Sequence, residues 1–239
     1  MPTQLQNIDY QDGDTRCKGL LAFDEQRNVP LPGILISHAW DGRDEFVARK
    51  ARELARLGYA AFALDMYGNG KLGHSVEENS ALMTPFVNDR ALLARRINAA
   101  LTAMRALPQV DARRIGAMGY CFGGMCVLDL ARSGAEVRGV VSVHGLLKSP
   151  GSARTKAIKA KVLVLHGHDD PMVPVADVVA FEQEMTDAKV DWQVHVYGGT
   201  KHAFTNPEAT DPNAPTVYSD AADRRSGKAL LDFFEEVLR

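Results

Sequence analysis

Short apolar segments alternate along the chain with segments in which apolar residues recur every three or four positions. The short segments are rich in Val, Ile or aromatic residues and are bounded by Gly, Pro or polar residues, which is typical of buried strands. Strands that alternate with amphipathic helices predict an α/β fold, a mostly parallel central sheet with helices on both faces. The predicted strands are 34–37, 60–64, 115–119, 140–143, 162–165 and 192–196.

Stripes of apolar residues at helical spacing predict the helices between these strands. Gly58 follows the first stripe as a helix cap, Pro108 ends the second, and Pro174 opens the third. The segment 125–131 is apolar nearly all round, which predicts a helix buried against the sheet. The stripes consist of Val47, Ala51, Leu54 and Ala55; of Leu93, Ile97, Ala100, Leu101 and Met104; of Val175, Val178, Val179, Glu182 and Met185; and of Ala222, Ala229, Leu230, Phe233 and Val237.

Two segments depart from this rhythm. Residues 15–23 and the start of the strand at Ile34 are separated by a polar segment, which predicts an antiparallel hairpin at the sheet edge. Residues 68–88 show neither period and predict an insertion or a lid over the site. No internal repeat or linker divides the sequence, so we expect a single domain over residues 1–239.

Composition and charge narrow the class of protein. The 239 residues are 46% hydrophobic and 24% charged, with a formal net charge of −2 and scattered arginine pairs, so a nucleic-acid partner is not expected. The sequence contains no apolar run long enough to span a membrane and no secretory signal pattern at its start. Three cysteines, an odd number, argue against a disulfide framework and predict a cytoplasmic protein. No pattern indicates an oligomeric state.

Reactive side chains follow the predicted strands, where the carboxyl ends of parallel strands gather ligand-binding loops. We expect these side chains to lie at one edge of the sheet, and the chemistry to come from a subset of them. They are His38, Asp65, Cys121, His144, Asp170 and His202.

The sharpest motif is G-Y-C-F-G-G at 119–124, which has the form of a nucleophile elbow with Cys121 in place of the more usual serine. A strained turn from strand to helix lifts the side chain above the sheet, and the flanking glycines allow close approach of neighbouring backbone. The following helix start favours the thiolate. The alternative is a glycine-rich turn with a buried cysteine. Cys126, within the apolar helix, is expected to be inert packing, and Cys17 has no assigned role.

A thiol nucleophile needs a base and an acid that orients it. On this kind of sheet the acid and then the histidine follow the nucleophile along the chain. The loop after the strand at 162–165 contains Asp169 and Asp170, and Asp170 is preferred because it lies at the turn before a helix; Asp169 could instead be a helix cap. His202 lies on the loop after the last strand. The alternative interpretation of His202 is a solvated histidine on this loop.

With these motifs, the chain resembles the dienelactone hydrolase family of α/β-hydrolases. The resemblance rests on the strand at 33–38, on G-Y-C-F-G-G, on D-P-M-V-P at 170–174 and on K-H-A-F at 201–204. It implies an α/β-hydrolase fold and a triad of Cys121 as nucleophile, His202 as base and Asp170 as its partner. It also implies an oxyanion hole formed by the backbone N–H groups of Phe122 and Trp40.

The sequence departs from the family at positions that bear on the substrate. Ala39 stands near the position of a glutamate that contacts the resting thiol in the family, so we expect a resting Cys121–His202 ion pair. Thr205 and Asn206 stand where the family has an arginine that clamps a substrate carboxylate, and Arg90 is the candidate for the second arginine.

We therefore expect a preference for neutral substrates, small esters and lactones, with slow attack on neutral phosphotriesters as a hypothesis from the chemistry. No cofactor or metal is expected. The candidate walls of the pocket are apolar residues that could equally belong to the core: Trp40, Tyr67, Met83, Phe86 and Phe204.

Three other functions remain open at this stage. His166, His168 and Asp170 have the H-x-H-x-D spacing of binuclear zinc hydrolases, and His38, His144 and His202 could add ligands. The segment 68–73 satisfies G-x-G-x-x-G, a dinucleotide fingerprint, but neither an apolar helix nor a suitably placed acidic residue follows it. A hydrolase scaffold that binds without catalysis is the third alternative.

Overall fold

The structure, a computed structural model, describes residues 3–151 and 158–239. Eight strands form one sheet in the order β1-β2-β4-β3-β5-β6-β7-β8. Strands β3 to β8 are parallel to one another, and β2 is antiparallel to both β1 and β4. The strands are β1 Thr3–Asp12, β2 Thr15–Asp24, β3 Leu31–Ser37, β4 Ala60–Ala63, β5 Val110–Tyr120, β6 Gly139–Val143, β7 Lys161–Gly167 and β8 Trp192–Tyr197.

Helices cover both faces of this sheet, as the alternation of strands and helices predicts. In β3, Ile34 and Ile36 belong to the apolar layer shared with α1 and α6, whereas Leu35 belongs to the layer shared with α3, α4 and α5. Every residue of α4 is buried, as expected for the helix that is apolar all round. The helices are α1 Glu45–Arg56, α2 Val76–Asn88, α3 Arg90–Arg105, α4 Phe122–Arg132, α5 Val175–Asp187 and α6 Asp220–Val237.

The edge hairpin differs from the prediction. β2 pairs with β1 through a two-residue turn at Gly13 and Asp14, and β4 lies between β2 and β3. Gly13 has a φ of +57°, a conformation that glycine adopts at no steric cost. The pattern missed β1 because most of its side chains are exposed and polar. The Gly-Asp dipeptide at 13–14 is the hairpin signal that would have located it.

Two helical segments also differ from the pattern. Of the predicted α5 stripe, Val178 and Met185 are buried as expected, whereas Val175 and Val179 are exposed and Phe181, which the stripe omitted, is buried beside them. The predicted insertion at 68–88 contains α2 rather than an irregular segment. Its start has a capping box that the apolar period does not reveal: the Ser75 hydroxyl accepts from the Glu78 N–H, and the Glu78 carboxylate accepts from the His74 N–H.

The strand order reverses next to β3. The chain passes from β3 to β4 on one side, and β5 lies on the other side. In open α/β sheets, ligands bind in the crevice at the carboxyl ends of the strands where such a reversal occurs. The loops that follow β3 and β5 border this crevice, and they contain Trp40 and Cys121.

Candidate active site

Cys121 occupies the sharp turn between β5 and α4, as the elbow motif predicts. Its backbone has φ 54° and ψ −117°, a conformation that costs a residue with a side chain about 1–3 kcal/mol. The residue stands at the N-cap position of α4 but makes no side-chain capping hydrogen bond. Its sulfur therefore lies near the positive end of the helix dipole without being engaged there.

Glycines make this turn possible. A Cβ atom at Gly119 would lie 2.1 Å from the carbonyl oxygen of Gly123, and one at Gly123 would lie 2.3 Å from the carbonyl oxygen of Ser37. Both distances are far below van der Waals contact, so any larger residue would force the first turn of α4 away from β3 and β5. The glycines next to Cys121 thus allow the close backbone approach that holds the elbow.

His202 and Asp170 form a buried pair at the same edge of the sheet. The Nδ1 atom of His202 lies 2.6 Å from Oδ2 of Asp170, and the two residues are 1% and 3% exposed. The other carboxylate oxygen of Asp170 accepts from the N–H of Met172, which fixes its orientation. Asp169, the alternative acid, is exposed. The geometry thus brings together His202 and the preferred aspartate.

The surroundings of His202 favour its charged form. Burial alone would lower the pKa of His202, but the neighbouring Cys121 and the hydrogen bond with Asp170 raise it, to about 10. An imidazole with so high a pKa is suited to hold a thiolate as its counter-charge.

His144, which follows β6, lies between the elbow and the loop of His202. Its Nδ1 accepts from the backbone N–H of Cys121 at 3.2 Å, and its Nε2 lies 2.9 Å from the hydroxyl of Thr205. Its ring is also in edge contact with that of His202, at 5.1 Å between centroids. The sequence placed His144 at this edge of the sheet and gave it no role in the thiol mechanism, only a possible one as a ligand in the metal alternative.

His38 fixes the loop after β3. Its Nε2 accepts from the N–H of Met66 at 3.1 Å, so the ring proton is on Nδ1, which donates to the carbonyl oxygen of Ala39 at 2.6 Å. Burial lowers the pKa of His38 to about 4, so the ring stays neutral. On the next peptide, the Tyr67 hydroxyl donates to the carbonyl oxygen of Trp40 at 2.7 Å.

These contacts leave the Trp40 N–H aimed away from His38, since the C=O and N–H of a trans peptide point in opposite directions. Neither the N–H of Trp40 nor that of Phe122 donates a hydrogen bond to another described residue.

A cavity of about 600 Å³ opens beside these residues. Four of its lining residues, Cys121, His144, His202 and Thr205, are named here the floor. Five charged ones, Asp41, Asp44, Glu45, Arg49 and Glu208, are named the rim. The remaining lining residues are Ala39, Trp40, Phe46, Met83, Tyr120, Leu146, Met172, Ala203, Asn206, Ala209 and Thr216.

Of the five expected wall residues, only Trp40 and Met83 line this cavity. Tyr67 and Phe86 are buried and pack on the ring of Phe122, beneath the cavity. Phe204 is fully buried in the layer with α1 and α6, where it contacts the ring of His144. The expectation that these three form walls is therefore wrong: their rings support the loops from the core.

The rim carries predominantly negative charge. Arg49 is its only lysine or arginine among the described residues, and its guanidinium lies over the ring of Phe46. Burial, together with the charges of Asp44 and Glu208, raises the pKa of Asp41 to about 6. Arg90, the candidate carboxylate clamp, is instead held by Asp129 in two hydrogen bonds of 2.5 and 2.7 Å. Among the residues that the structure describes, the cavity wall therefore has no arginine fork for an anionic substrate.

The structure shows what becomes of the residues that would bind a metal ion or a dinucleotide in the two cofactor alternatives. His166 is buried, His168 is exposed and Asp170 is bound to His202, and among the described residues no three His, Cys, Asp or Glu side chains are arranged to hold a metal ion. In the glycine-rich segment, the N–H groups of Gly68 and Gly70 donate to the carboxylate of Asp65, each at 2.8 Å. The amides that would cradle a phosphate are thus already paired.

The other two cysteines are unsuited to react. Cys17 and Cys126 are both 0% exposed, and burial raises the pKa of each thiol, that of Cys17 to about 11. All three cysteines are free thiols.

None of the helices in the described part of the chain combines the length and apolar character needed to cross a membrane.

A model of the dienelactone hydrolase family matches residues 18–238. The solved structure of a dienelactone hydrolase-like promiscuous phosphotriesterase from metagenomic libraries is 37% identical, with a TM-score of 0.96 and full coverage of both chains. A solved structure from Klebsiella pneumoniae, described as a putative dienelactone hydrolase, shares the fold at 20% identity, with a TM-score of 0.85 over 98% of this chain and 99% of that one.

A relative from Bradyrhizobium, described as a probable 2-oxo-3-(5-oxofuran-2-ylidene)propanoate lactonase, is 26% identical over 85% of this chain and 86% of its own length. The family match covers most of the chain, and the similar solved structures share its fold. The chain is therefore a hydrolase with the α/β-hydrolase fold, and it belongs to the dienelactone hydrolase family.

Proposed function

We propose that the chain hydrolyses small neutral esters and lactones through a covalent thioester on Cys121, with His202 as acid and base and Asp170 as its partner. The observation that carries this proposal is that the strained Cys121 at the start of α4 and His202 line the same cavity. The Nδ1 atom of His202 is hydrogen-bonded to Asp170. Nucleophile, base and orienting acid are the parts that covalent acyl transfer requires.

In the first half of the reaction, the thiolate of Cys121 attacks the carbonyl carbon and forms a tetrahedral oxyanion. The imidazolium of His202 then donates its proton to the leaving oxygen, and the alcohol departs from the thioester; with a lactone, this oxygen stays tethered to the acyl group. In the second half, neutral His202 takes a proton from water as the water attacks the thioester. Collapse releases the carboxylic acid and restores the thiolate–imidazolium pair.

The oxyanion hole in this mechanism consists of the N–H groups of Phe122 and Trp40. Phe122 is the first residue of α4, where a backbone N–H has no partner within the helix. The peptide that carries the Trp40 N–H is fixed through the hydrogen bond of Ala39 to His38. Donors that are oriented before the reaction contribute on the order of 3 kcal/mol each to the transition state.

The preference for neutral substrates rests on the charges of the rim. A substrate carboxylate would approach Asp41, Asp44, Glu45 and Glu208, and Arg49 is the one counter-charge among the lining residues that the structure describes. Thr205 and Asn206 line the cavity where a clamping arginine is absent, so an anion would lose its hydration without gaining a bidentate donor.

Slow hydrolysis of neutral phosphotriesters is a side activity within the same proposal. A thiolate and an oxyanion hole can act on a phosphoryl centre, whose oxygen also gains negative charge. The similar structure described as a promiscuous phosphotriesterase supports this extension. Because the nucleophile works only as a reduced thiol, we also propose a reducing compartment such as the cytoplasm.

The test is a panel of p-nitrophenyl esters, γ- and δ-lactones and one p-nitrophenyl phosphotriester, assayed with the wild type and with Cys121→Ser. We expect turnover of esters and lactones, a pre-steady-state burst that matches the enzyme concentration, and a loss of at least about 10³-fold in Cys121→Ser because a serine hydroxyl is far harder to ionise than a thiol. An inactive wild type would favour the non-catalytic binding alternative, and an active Cys121→Ser would exclude the thiol mechanism.

A further inference from the structure

His144 has a defined protonation state that follows from its contacts. The Cys121 N–H donates to Nδ1, so this nitrogen carries no proton, and the proton of the neutral ring is on Nε2. Nε2–H therefore donates to the hydroxyl of Thr205. Burial and the neighbouring charge of His202 keep the pKa of His144 well below its ordinary value. The ring is thus a fixed donor–acceptor pair and not a second base.

The two contacts of His144 join two separate loops. Cys121 belongs to the turn after β5, whereas Thr205 lies three residues after His202 on the loop that follows β8. The Cys121 N–H also donates to the carbonyl oxygen of Val143, the residue before His144, at 3.1 Å. The position of the elbow is therefore tied to the end of β6, and through the imidazole to the loop of His202.

The backbone of His144 is itself strained. Its φ of +39° lies in the left-handed region, which costs a residue other than glycine about 1–3 kcal/mol. The ring is 3% exposed and packs edge-on against His202 and Phe204, both at 5.1 Å. Two strained residues, Cys121 and His144, thus share one hydrogen bond at the floor of the cavity, and the surrounding contacts must hold both.

We propose that His144 is a positioning residue that keeps the sulfur of Cys121 aligned with the imidazole of His202 by bridging the Cys121 N–H to the Thr205 hydroxyl. This role rests on the proposed function, because it presumes that Cys121 and His202 act together. A misplacement of about 1 Å between reacting groups can lower a rate by about 10²-fold. Loss of the bridge should therefore reduce kcat more than it raises KM.

The experiment separates the two ends of the bridge. His144→Phe removes both hydrogen bonds but keeps a planar ring. In His144→Asn, the amide oxygen can replace Nδ1 as acceptor for the Cys121 N–H, whereas in His144→Gln the amide N–H can replace Nε2 as donor to Thr205. Thr205→Val removes only the far end, and Thr205→Ser keeps the hydroxyl. The control is His195→Phe on the edge strand β8, a histidine that does not line the cavity.

We expect His144→Phe to lose about 10- to 100-fold in kcat for p-nitrophenyl acetate with KM within about 3-fold. His144→Asn, His144→Gln and Thr205→Val should each lose part of this, and Thr205→Ser should recover most of the loss seen in Thr205→Val. A second readout is the pH profile of Cys121 alkylation by iodoacetamide, which needs no turnover. The alkylation rate at neutral pH should fall in His144→Phe and Thr205→Val, because the thiolate loses its aligned counter-charge, and the profile should stay unchanged in His195→Phe.

A thermal melt identifies any variant that fails to fold, and Thr205→Val, a nearly isosteric change, then carries the test. The proposal is overturned when folded His144→Phe and Thr205→Val keep both the wild-type kcat and the wild-type alkylation profile. A further outcome is that the wild type turns over no ester, while the alkylation profiles of the variants still differ from that of the wild type. In that case the proposed hydrolysis is refuted, and the positioning role of His144 is supported.

Discussion

The floor and the rim of the cavity are built in opposite ways. His144, His202 and Thr205 of the floor are buried, and each makes a side-chain hydrogen bond to another part of the site or to its acid partner. On the rim, Glu45 and Glu208 are exposed, and Arg49 is partly exposed with its guanidinium over Phe46. The floor holds its groups in fixed positions, whereas the charges of the rim are exposed or half-buried and in contact with solvent.

We therefore expect the floor to determine the rate of the chemical step and the rim to determine the choice of substrate. Buried, hydrogen-bonded groups are costly to displace, so a change on the floor should alter the chemical step for every substrate. Exposed charges act through a medium that water and salt screen, so a change on the rim should alter the choice among substrates by a small factor. Four predictions, in order of decreasing effect on the rate, test this contrast.

The largest effect should follow from removing the acid that orients His202. In Asp170→Asn, the amide no longer holds the imidazole in the required tautomer or stabilises its charge, and we expect kcat to fall by about 10³- to 10⁴-fold on all substrates. Steady-state kinetics on an ester and a lactone provide the measurement. The matched control is Asp169→Asn, the exposed neighbour, which should stay within about 2-fold. Similar losses in both variants would remove the distinction between the two acids.

The loop after β3 should respond next. His38→Phe frees the carbonyl oxygen of Ala39 and with it the peptide of the Trp40 N–H, so we expect kcat to fall by about 10- to 100-fold with little change in KM. His38→Asn can still donate to this carbonyl from its amide nitrogen and should retain more activity. A folded His38→Phe with the kcat of the wild type would exclude a role for this peptide in the oxyanion hole.

The ionisation of the floor gives an effect of about 10-fold at mildly acidic pH. Since the pKa of His202 is raised to about 10, its imidazolium stays charged as the pH rises from 6.5 toward 10 and holds the Cys121 thiolate throughout this window. In His202→Gln this counter-charge is lost, so the alkylation rate of Cys121 at pH 6.5 should fall by about 10-fold relative to the wild type. Cys121→Ser gives the background of the two buried thiols. An unchanged alkylation rate in His202→Gln would contradict the ion pair.

The smallest effect should come from the rim. Asp41→Asn removes one negative charge, so the preference for p-nitrophenyl propionate over the anionic p-nitrophenyl hemisuccinate should fall by about 2- to 5-fold. Because the raised pKa of Asp41 is about 6, the carboxylate is protonated below that pH, and the wild-type preference should decline there while that of Asp41→Asn stays flat. Asp232→Asn, exposed on α6 and remote from the cavity, is the control. Equal ratios at all pH values would show that the rim does not select by charge.

The sequence predicted much of the site because its elements lie within short segments. The stripes of α1 and α3 are buried as predicted, and the elbow motif, with glycines at 119 and 123, determines a turn that no larger residues could make. The pattern was less informative where an element is mostly polar, as in β1, or begins with a capping box, as in α2. It also could not tell apart aromatic residues of the core and of the cavity, since Phe204 and Trp40 have similar neighbours along the chain.

By itself the sequence determined the mostly parallel sheet and the set of reactive side chains at its edge, since strand period, turn chemistry and the order of elements are local properties. The partners of those side chains were decided by the tertiary structure, in which His144 meets Cys121 and Thr205, and His38 meets Ala39 and Met66. Most of these contacts join residues far apart in the chain, and their geometry depends on how neighbouring strands end, which no local pattern encodes.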